Sequence, residues 1–136
     1  MRRGFTLIEI MIVVIIIAAL ASMVVPRLTG RTEQARVSIA EADVSSNIAT
    51  ALKLYELDNG NYPTTEQGLN ALLSKPSSSP VPNNWNGPYL EKTPVDPWKN
   101  QYQYKCPGSH NASGYDVWSN GKDGIEGTAD DVNSWK

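Results

Sequence analysis

The 136-residue chain has room for one domain of modest core beside an apolar segment, and its formal net charge of -2, with no Lys/Arg cluster beyond the N-terminus, gives no footing for nucleic acid. A lone Cys106 excludes an intramolecular disulfide, and a lone His110 excludes a multi-histidine metal site and makes a histidine triad a poor fit. With no Gly-rich phosphate loop either, the composition points away from an enzyme.

Met1-Arg2-Arg3-Gly4 is short and basic, and the run Ile10–Val25 carries no charge and one hydroxyl, Ser22. Together with Phe5–Ile8 it is long enough to cross a bilayer core, which takes about 20 helical residues. A helix is the single segment that satisfies its own backbone in lipid. Positive charge before the span predicts a cytoplasmic N-terminus. The same features describe a cleaved secretory signal peptide, with Ala19-Leu20-Ala21 as a small-residue cut site. Glu9 argues against that reading. A carboxylate in the oily layer costs roughly 2.5–3.5 kcal/mol at the bilayer centre, less near an end, and calls for a partner.

Pro26 predicts a kink or local unwinding just after the span, because it lacks an N–H and disfavours the helical conformation at Val25. Helical sequence then resumes. Val37, Ala40, Val44, Ile48, Ala51 and Tyr55 recur at steps of three and four, an apolar stripe, while Glu33, Arg36, Glu41, Asp43 and Lys53 fall off it. Asp58-Asn59-Gly60-Asn61 predicts the stop, with Gly60 left-handed. A continuous helix from Phe5 to Asp58 would run about 80 Å at 1.5 Å per residue.

Thr64 and Gln67 have capping-box spacing, predicting a second, shorter helix whose buried side is Leu69, Leu72 and Leu73. The prolines and serines of 75–84 predict a loop. Trp85–Leu90 and Thr93–Trp98 are turn-rich and aromatic, and read as packing. Tyr102–Lys105 and Tyr115–Trp118 alternate as strands do, and predict an antiparallel pair.

Gly4-Phe5-Thr6-Leu7-Ile8-Glu9 resembles the class III signal of type IV pilins and pseudopilins. The resemblance implies that a prepilin peptidase cuts after Gly4 and methylates the new amino group of Phe5. Residues 1–4 would then be a leader, 5–25 a membrane and filament-core helix, and 26–136 a periplasmic head that includes the amphipathic half of the long helix. Cleavage removes Arg2 and Arg3, leaving 10 basic residues from 12 against 14 acidic ones, a net of -4. Leu57–Leu69 and Pro94–Trp98 narrow the similarity to the major pseudopilins of type II secretion. The implied fold is α+β and type IV pilin-like: a long N-terminal helix, a short helix, a small antiparallel sheet and a C-terminal calcium loop. The implied role is a non-enzymatic subunit of a periplasmic helical fibre that helps export folded proteins across the outer membrane. Its implied partners are further copies of itself, minor pseudopilins, inner-membrane assembly components, the peptidase and, before assembly, the lipid bilayer.

The loop Ser119–Asp131 brings Asp123, Asp130 and Asp131 close in sequence among three glycines. By composition it reads as a solvated acidic turn, although Ca²⁺, with six to eight oxygen ligands, suits such a set. The spacing is not that of an EF-hand. The family resemblance implies one structural calcium held by Asp123, Asp130 and Asp131, by the carbonyls of Asn120 and Ile125, and with a contribution from Thr128. Glu126 is left outside this set. His110 reads as an exposed residue of a polar loop, Cys106 as a partly buried bystander, and Asn111-Ala112-Ser113 as a chance sequon.

The same resemblance gives Glu9 a partner: the Phe5 amine of a neighbouring subunit, so that an acid costly in lipid becomes a register device for assembly. Two other readings stay open at this point, a surface-pilus subunit and a secreted calcium-dependent binding module.

Overall fold

The computed structural model describes residues 4–136. They divide into two compact units, the residues up to Ala35 and Arg36–Lys136. Arg2 and Arg3 lie outside the described residues.

Helix α1 spans Leu7–Ala42 and passes through Pro26 as unbroken helix, so the expected local unwinding there is not observed. Every residue from Gly4 to Thr32 is exposed, and the apolar stretch has the length and composition of a membrane span with none of it buried. Asp43–Asn47 then winds as a π-helix, whose wide turn is closed by the Ile48 N–H on the Asp43 carbonyl, five residues back. Helix α2, Ile48–Asn59, ends where the sequence predicts: Gly60 takes φ 82° and its N–H reaches the Glu56 carbonyl at 2.7 Å.

The π turn was not legible as such, and it carries a contact across the head. Asp43 accepts from Asn47 Nδ2 at 2.7 Å on one carboxylate oxygen and from the Tyr102 hydroxyl at 2.8 Å on the other. One side chain thus ties the loosened turn to the residue that leads into the sheet. The stripe behaves as expected. Ala40, Val44, Ile48, Ala51 and Tyr55 are buried and Val37 half-buried; Val44, Ile48, Ala51 and Tyr55, joined by Leu52, pack with Ala71, Leu72, Tyr102 and Val117. Burying each larger side chain contributes about 1.5–3 kcal/mol.

The capping box forms in both directions, with Thr64 N–H to Gln67 Oε1 at 3.0 Å and Gln67 N–H to Thr64 Oγ1 at 3.2 Å. The residues after it depart from the expected helix. Gly68 adopts φ 59° and ψ -166°, which no α-helix contains, so the segment tightens into a 3₁₀ turn over Leu69–Leu72. Leu72 is buried, whereas Leu69 and Leu73 are half-buried. The Gln67 amide is spent on the loop, donating to the carbonyls of Ser78 and Pro80, each at 2.9 Å.

Strands β1 (Gln103–Lys105) and β2 (Asp116–Ser119) pair antiparallel as predicted, with Tyr104 opposite Val117. The sequence reading missed β3, Val132–Asn133, which pairs antiparallel with the far edge of β2. The connection between β1 and β2 is gathered round one buried carboxylate. Asp116 accepts from the His110 N–H at 2.8 Å and the Asn111 N–H at 3.1 Å, and its Oδ2 lies 3.1 Å from His110 Nδ1. The His110 ring stacks on Trp135 with centroids 3.9 Å apart and planes 4° from parallel. His110 is exposed, as expected, and its stacking also fastens the C-terminal arm to the β1–β2 loop.

Burial pushes the Asp116 carboxyl up, but the hydrogen bonds from His110 and Asn111 outweigh it and hold the group below the ordinary carboxylate value. A depressed acid contributes stability that is complete above its unfolded value, about 3.9, and is lost as pH falls through the folded one. Replacing Asp116 by Asn is expected to cost about 1.5–3 kcal/mol at pH 7, the range for hydrogen bonds to a charged group. In thermal melts the gap between variant and wild type should narrow below about pH 4. An equal gap at pH 7 and pH 3 would contradict this assignment.

Candidate functional site

Two stretches carry the residues singled out by sequence. In the first, Phe5 and Glu9 are both exposed at the start of the apolar helix. Thr6 caps it, its Oγ1 accepting the Glu9 N–H at 3.2 Å. That Thr-x-x-Glu spacing was readable in the sequence, just as Thr64 and Gln67 were, and places Glu9 in the first turn, where an acid complements the helix dipole. Gly4 has no helical conformation and open space where a Cβ would stand.

The second stretch begins where β2 ends. Ser119 is fully buried and donates its hydroxyl to Asp96 Oδ2 at 2.6 Å. Asp96, also buried, uses its other oxygen to accept the N–H groups of Trp98 and Asn100, a side-chain-closed turn typical of Asp before Pro. The Asp96-Pro97-Trp98 stretch, read from sequence as packing, is thus a bracket that fixes the mouth of the acidic loop. Gly121 comes next with φ 65°, and a Cβ there would overlap the Asp130 carbonyl. Glycine is what allows the two ends of the loop to approach.

Within the loop the oxygens converge on one hydroxyl. Thr128 Oγ1 lies 2.6 Å from Asp130 Oδ1, 3.0 Å from the Ile125 carbonyl, and 3.3 Å from both Asp123 Oδ1 and Asp131 Oδ1. Backbone N–H groups also reach these carboxylates: Asp123 donates to Asp130 Oδ2 at 3.0 Å and Gly127 to Asp131 Oδ2 at 2.7 Å, on the oxygens turned away from Thr128, while Ile125 donates to Asp123 Oδ1 at 2.8 Å. Five of the six residues expected to hold the metal are therefore gathered together. Asn120 stands at the loop mouth, with its side-chain Oδ1 buried and without a hydrogen-bond partner. Glu126 is exposed, as expected. Among the described residues no group of three or more His, Cys, Asp or Glu side chains is by itself placed to hold a metal ion; the three carboxylates meet at the Thr128 hydroxyl.

One hydroxyl proton cannot satisfy four oxygens. Three carboxylates around it repel. This donor set is all oxygen, and it fits a hard divalent cation.

Residues 1–25 match the prokaryotic N-terminal methylation motif, and residues 27–135 match the family described as type II secretion system protein G. The chain belongs to the type II secretion system protein G family. A relative from Pseudomonas aeruginosa, the type II secretion system core protein G, is 51% identical over 98% of this chain and 95% of its own length. One from Escherichia coli with the same description is 47% identical over 98% of this chain and 91% of its own. The crystal structure of the major pseudopilin from enterohaemorrhagic Escherichia coli superposes with a TM-score of 0.71 at 39% identity, covering 79% of this chain and 89% of that one.

This pseudopilin family is structural rather than enzymatic, and it works with the other components of a secretion system. The single apolar N-terminal helix and the methylation motif mark a membrane-anchored protein. Both the surface-pilus reading and the secreted-module reading lose their ground here.

The Thr128 hydroxyl, then the Asp123 N–H, hold the Asp130 carboxyl of this pseudopilin below the ordinary range. Thr128→Val removes the first donor, so the Asp130 carboxyl should titrate at higher pH in chelator. Carboxyl ¹³C NMR reads this directly, and an unmoved Asp130 would show that the hydroxyl does not hold it.

Proposed function

We infer that this chain is the repeating structural subunit of the type II secretion pseudopilus. The observation that carries the reading is the match of both halves at once, the methylation motif over residues 1–25 and the protein G family over 27–135. In this reading the peptidase cuts after Gly4 and methylates Phe5, leaving the apolar helix in the mature subunit with its N-terminus cytoplasmic and its head periplasmic. Subunits wait in the inner membrane and are then drawn into a fibre whose core is packed apolar helices, through head-to-tail contacts that do not close. Further copies, minor pseudopilins and inner-membrane assembly proteins are its partners, and the growing fibre helps move folded proteins across the outer membrane.

Glu9 supplies the register. Its carboxylate, exposed in the first turn, meets the methylated Phe5 amine of the next subunit once assembly removes both from lipid and water. A buried ion pair need not add much net stability, but one charge left without the other is costly. Staggers that fail to align them are selected against. Glu9→Ala should be processed normally and accumulate in the membrane with few fibres, scored by mass spectrometry of the mature N-terminus and electron microscopy. Fibres at wild-type abundance would rule the pairing out.

The acidic loop supplies a calcium-dependent closure. Asp123, Asp130 and Asp131 with the Ile125 carbonyl, the Thr128 hydroxyl and the Asn120 carbonyl would hold one Ca²⁺, whose charge offsets the mutual repulsion of the carboxylates. Binding only the folded loop, the ion stabilises the fold by mass action, about 2.7 kcal/mol at a free concentration one hundred times Kd. Trp118 and Trp135 line the same cavity as Thr128 and Asp131, so Tb³⁺ used as a calcium substitute should give tryptophan-sensitised emission that Ca²⁺ displaces. Chelation should lower the melting temperature, and Asp123→Ala or Asp130→Ala should reproduce the chelated state. A melt indifferent to calcium would overturn this part of the reading.

A further inference from the structure

The apolar run ends at Val25, and Arg27 and Arg31 come after it four residues apart, so both guanidinium groups leave the same face of α1. Both are exposed. Among the described residues no ion pair or hydrogen bond engages either side chain, whereas the next charged residues along the helix, Glu33 and Arg36, each have a contact of their own. The neighbouring hydroxyls are turned inward: Thr29 donates to the Pro26 carbonyl at 3.0 Å and Thr32 to the Leu28 carbonyl at 2.9 Å. The two arginines are left as the outward-reaching polar groups of this turn.

Pro26 sets the depth at which they sit. It has no N–H for the carbonyl of Ser22 four residues earlier, and an orphan carbonyl in hydrocarbon costs several kcal/mol. The helix lowers that cost by placing this turn at the polar edge of the bilayer, which brings Arg27 and Arg31 to the level of the lipid phosphates. Guanidinium binds phosphate through a planar fork of donors, and its aliphatic stem lies comfortably along an apolar surface.

We propose that Arg27 and Arg31 form a basic collar at the head-side end of the span that binds the phosphates of anionic phospholipids. The collar rests on the reading of residues 5–25 as a membrane anchor. Its consequence is an inversion of charge across the span. The precursor has Arg2 and Arg3 before the span and Arg27 and Arg31 after it, whereas loss of the leader leaves only the second pair. The mature subunit is then held chiefly from its head side, and drawing it out of the membrane means releasing those phosphates.

The test uses the full chain reconstituted in vesicles of phosphatidylglycerol and phosphatidylcholine in equal parts, then released in mild detergent for native mass spectrometry of the retained lipid. Wild type should retain phosphatidylglycerol over phosphatidylcholine. Arg27→Gln with Arg31→Gln should lose this preference, on the order of five-fold per arginine, while inserting into vesicles as before. Arg2→Gln with Arg3→Gln should keep it, and added inorganic phosphate should not abolish it. A preference untouched in the Arg27/Arg31 variant overturns the collar, as does the same variant failing only in self-association, which would make the face a contact between subunits. Wild type that enters no vesicle at all would instead overturn the anchor reading beneath it.

Discussion

The head depends on one helical face covering a sheet too small to stand alone. Strands of three, four and two residues do not bury enough surface to persist in water, where even a two-stranded hairpin is marginal. Val44, Ile48, Leu52 and Tyr55 supply the missing apolar layer, with Val117 of β2 and Tyr102 packed on them. The edge-to-face pairs Tyr55–Tyr89 and Trp85–Tyr89 extend that layer over the turn-rich 85–98 region, and the Trp85 indole N–H is satisfied by the Ala71 carbonyl at 2.8 Å. One helical stretch, Leu7–Asn59, thus carries the apolar span at its start and the core of the head at its end. A sequence under both demands keeps its stripe from Ala40 to Tyr55 and its uninterrupted oil from Ile10 to Val25.

Three carboxylates, Asp96 and Asp116 buried and Asp43 half-buried, tie the connections of the head together. Asp43 fastens the π turn to Tyr102, Asp96 fastens the turn at 96–100 to the end of β2, and Asp116 gathers the loop before its own strand. Each spends its oxygens on several donors, which is how a small domain without a disulfide secures long connections. The acidic loop differs because the six oxygens of its three carboxylates share only one hydroxyl and three backbone N–H groups.

Period and punctuation account for the features that were legible in the sequence. The stripe, the Gly60 stop, the capping box and the β1–β2 pair are local patterns, and each survives in the fold. The departures arise where a distant group intervenes. Nothing between Ala42 and Ile48 announces a π turn, because what holds it is Tyr102, 59 residues away. The helix expected after Thr64 shortens because Gly68 takes a conformation that only glycine reaches easily. Strand β3 has two residues, below what alternation can reveal, and exists because Val117 N–H and carbonyl are both taken by Ser134 just beyond it. Pro26 predicts a kink or local unwinding, yet a proline removes one hydrogen bond, and the helix runs through it without unwinding. For the loop, composition alone read as a solvated acidic turn and the family resemblance supplied the donor set, while the meeting of its oxygens at Thr128 required the fold.

The fastening of the chain's last residues has a consequence for damage. The acidic loop is an exposed, Gly-rich segment, the kind of site where proteases cut first. Its entry is held by Ser119 and Asp96, and its exit by β3, the paired bonds of Ser134 to Val117, and the stack of Trp135 on His110. A nick anywhere in 122–131 therefore leaves the short C-terminal fragment docked on the head, so a cut subunit keeps its outline. It can stay in a fibre as a conformationally intact but chemically broken link.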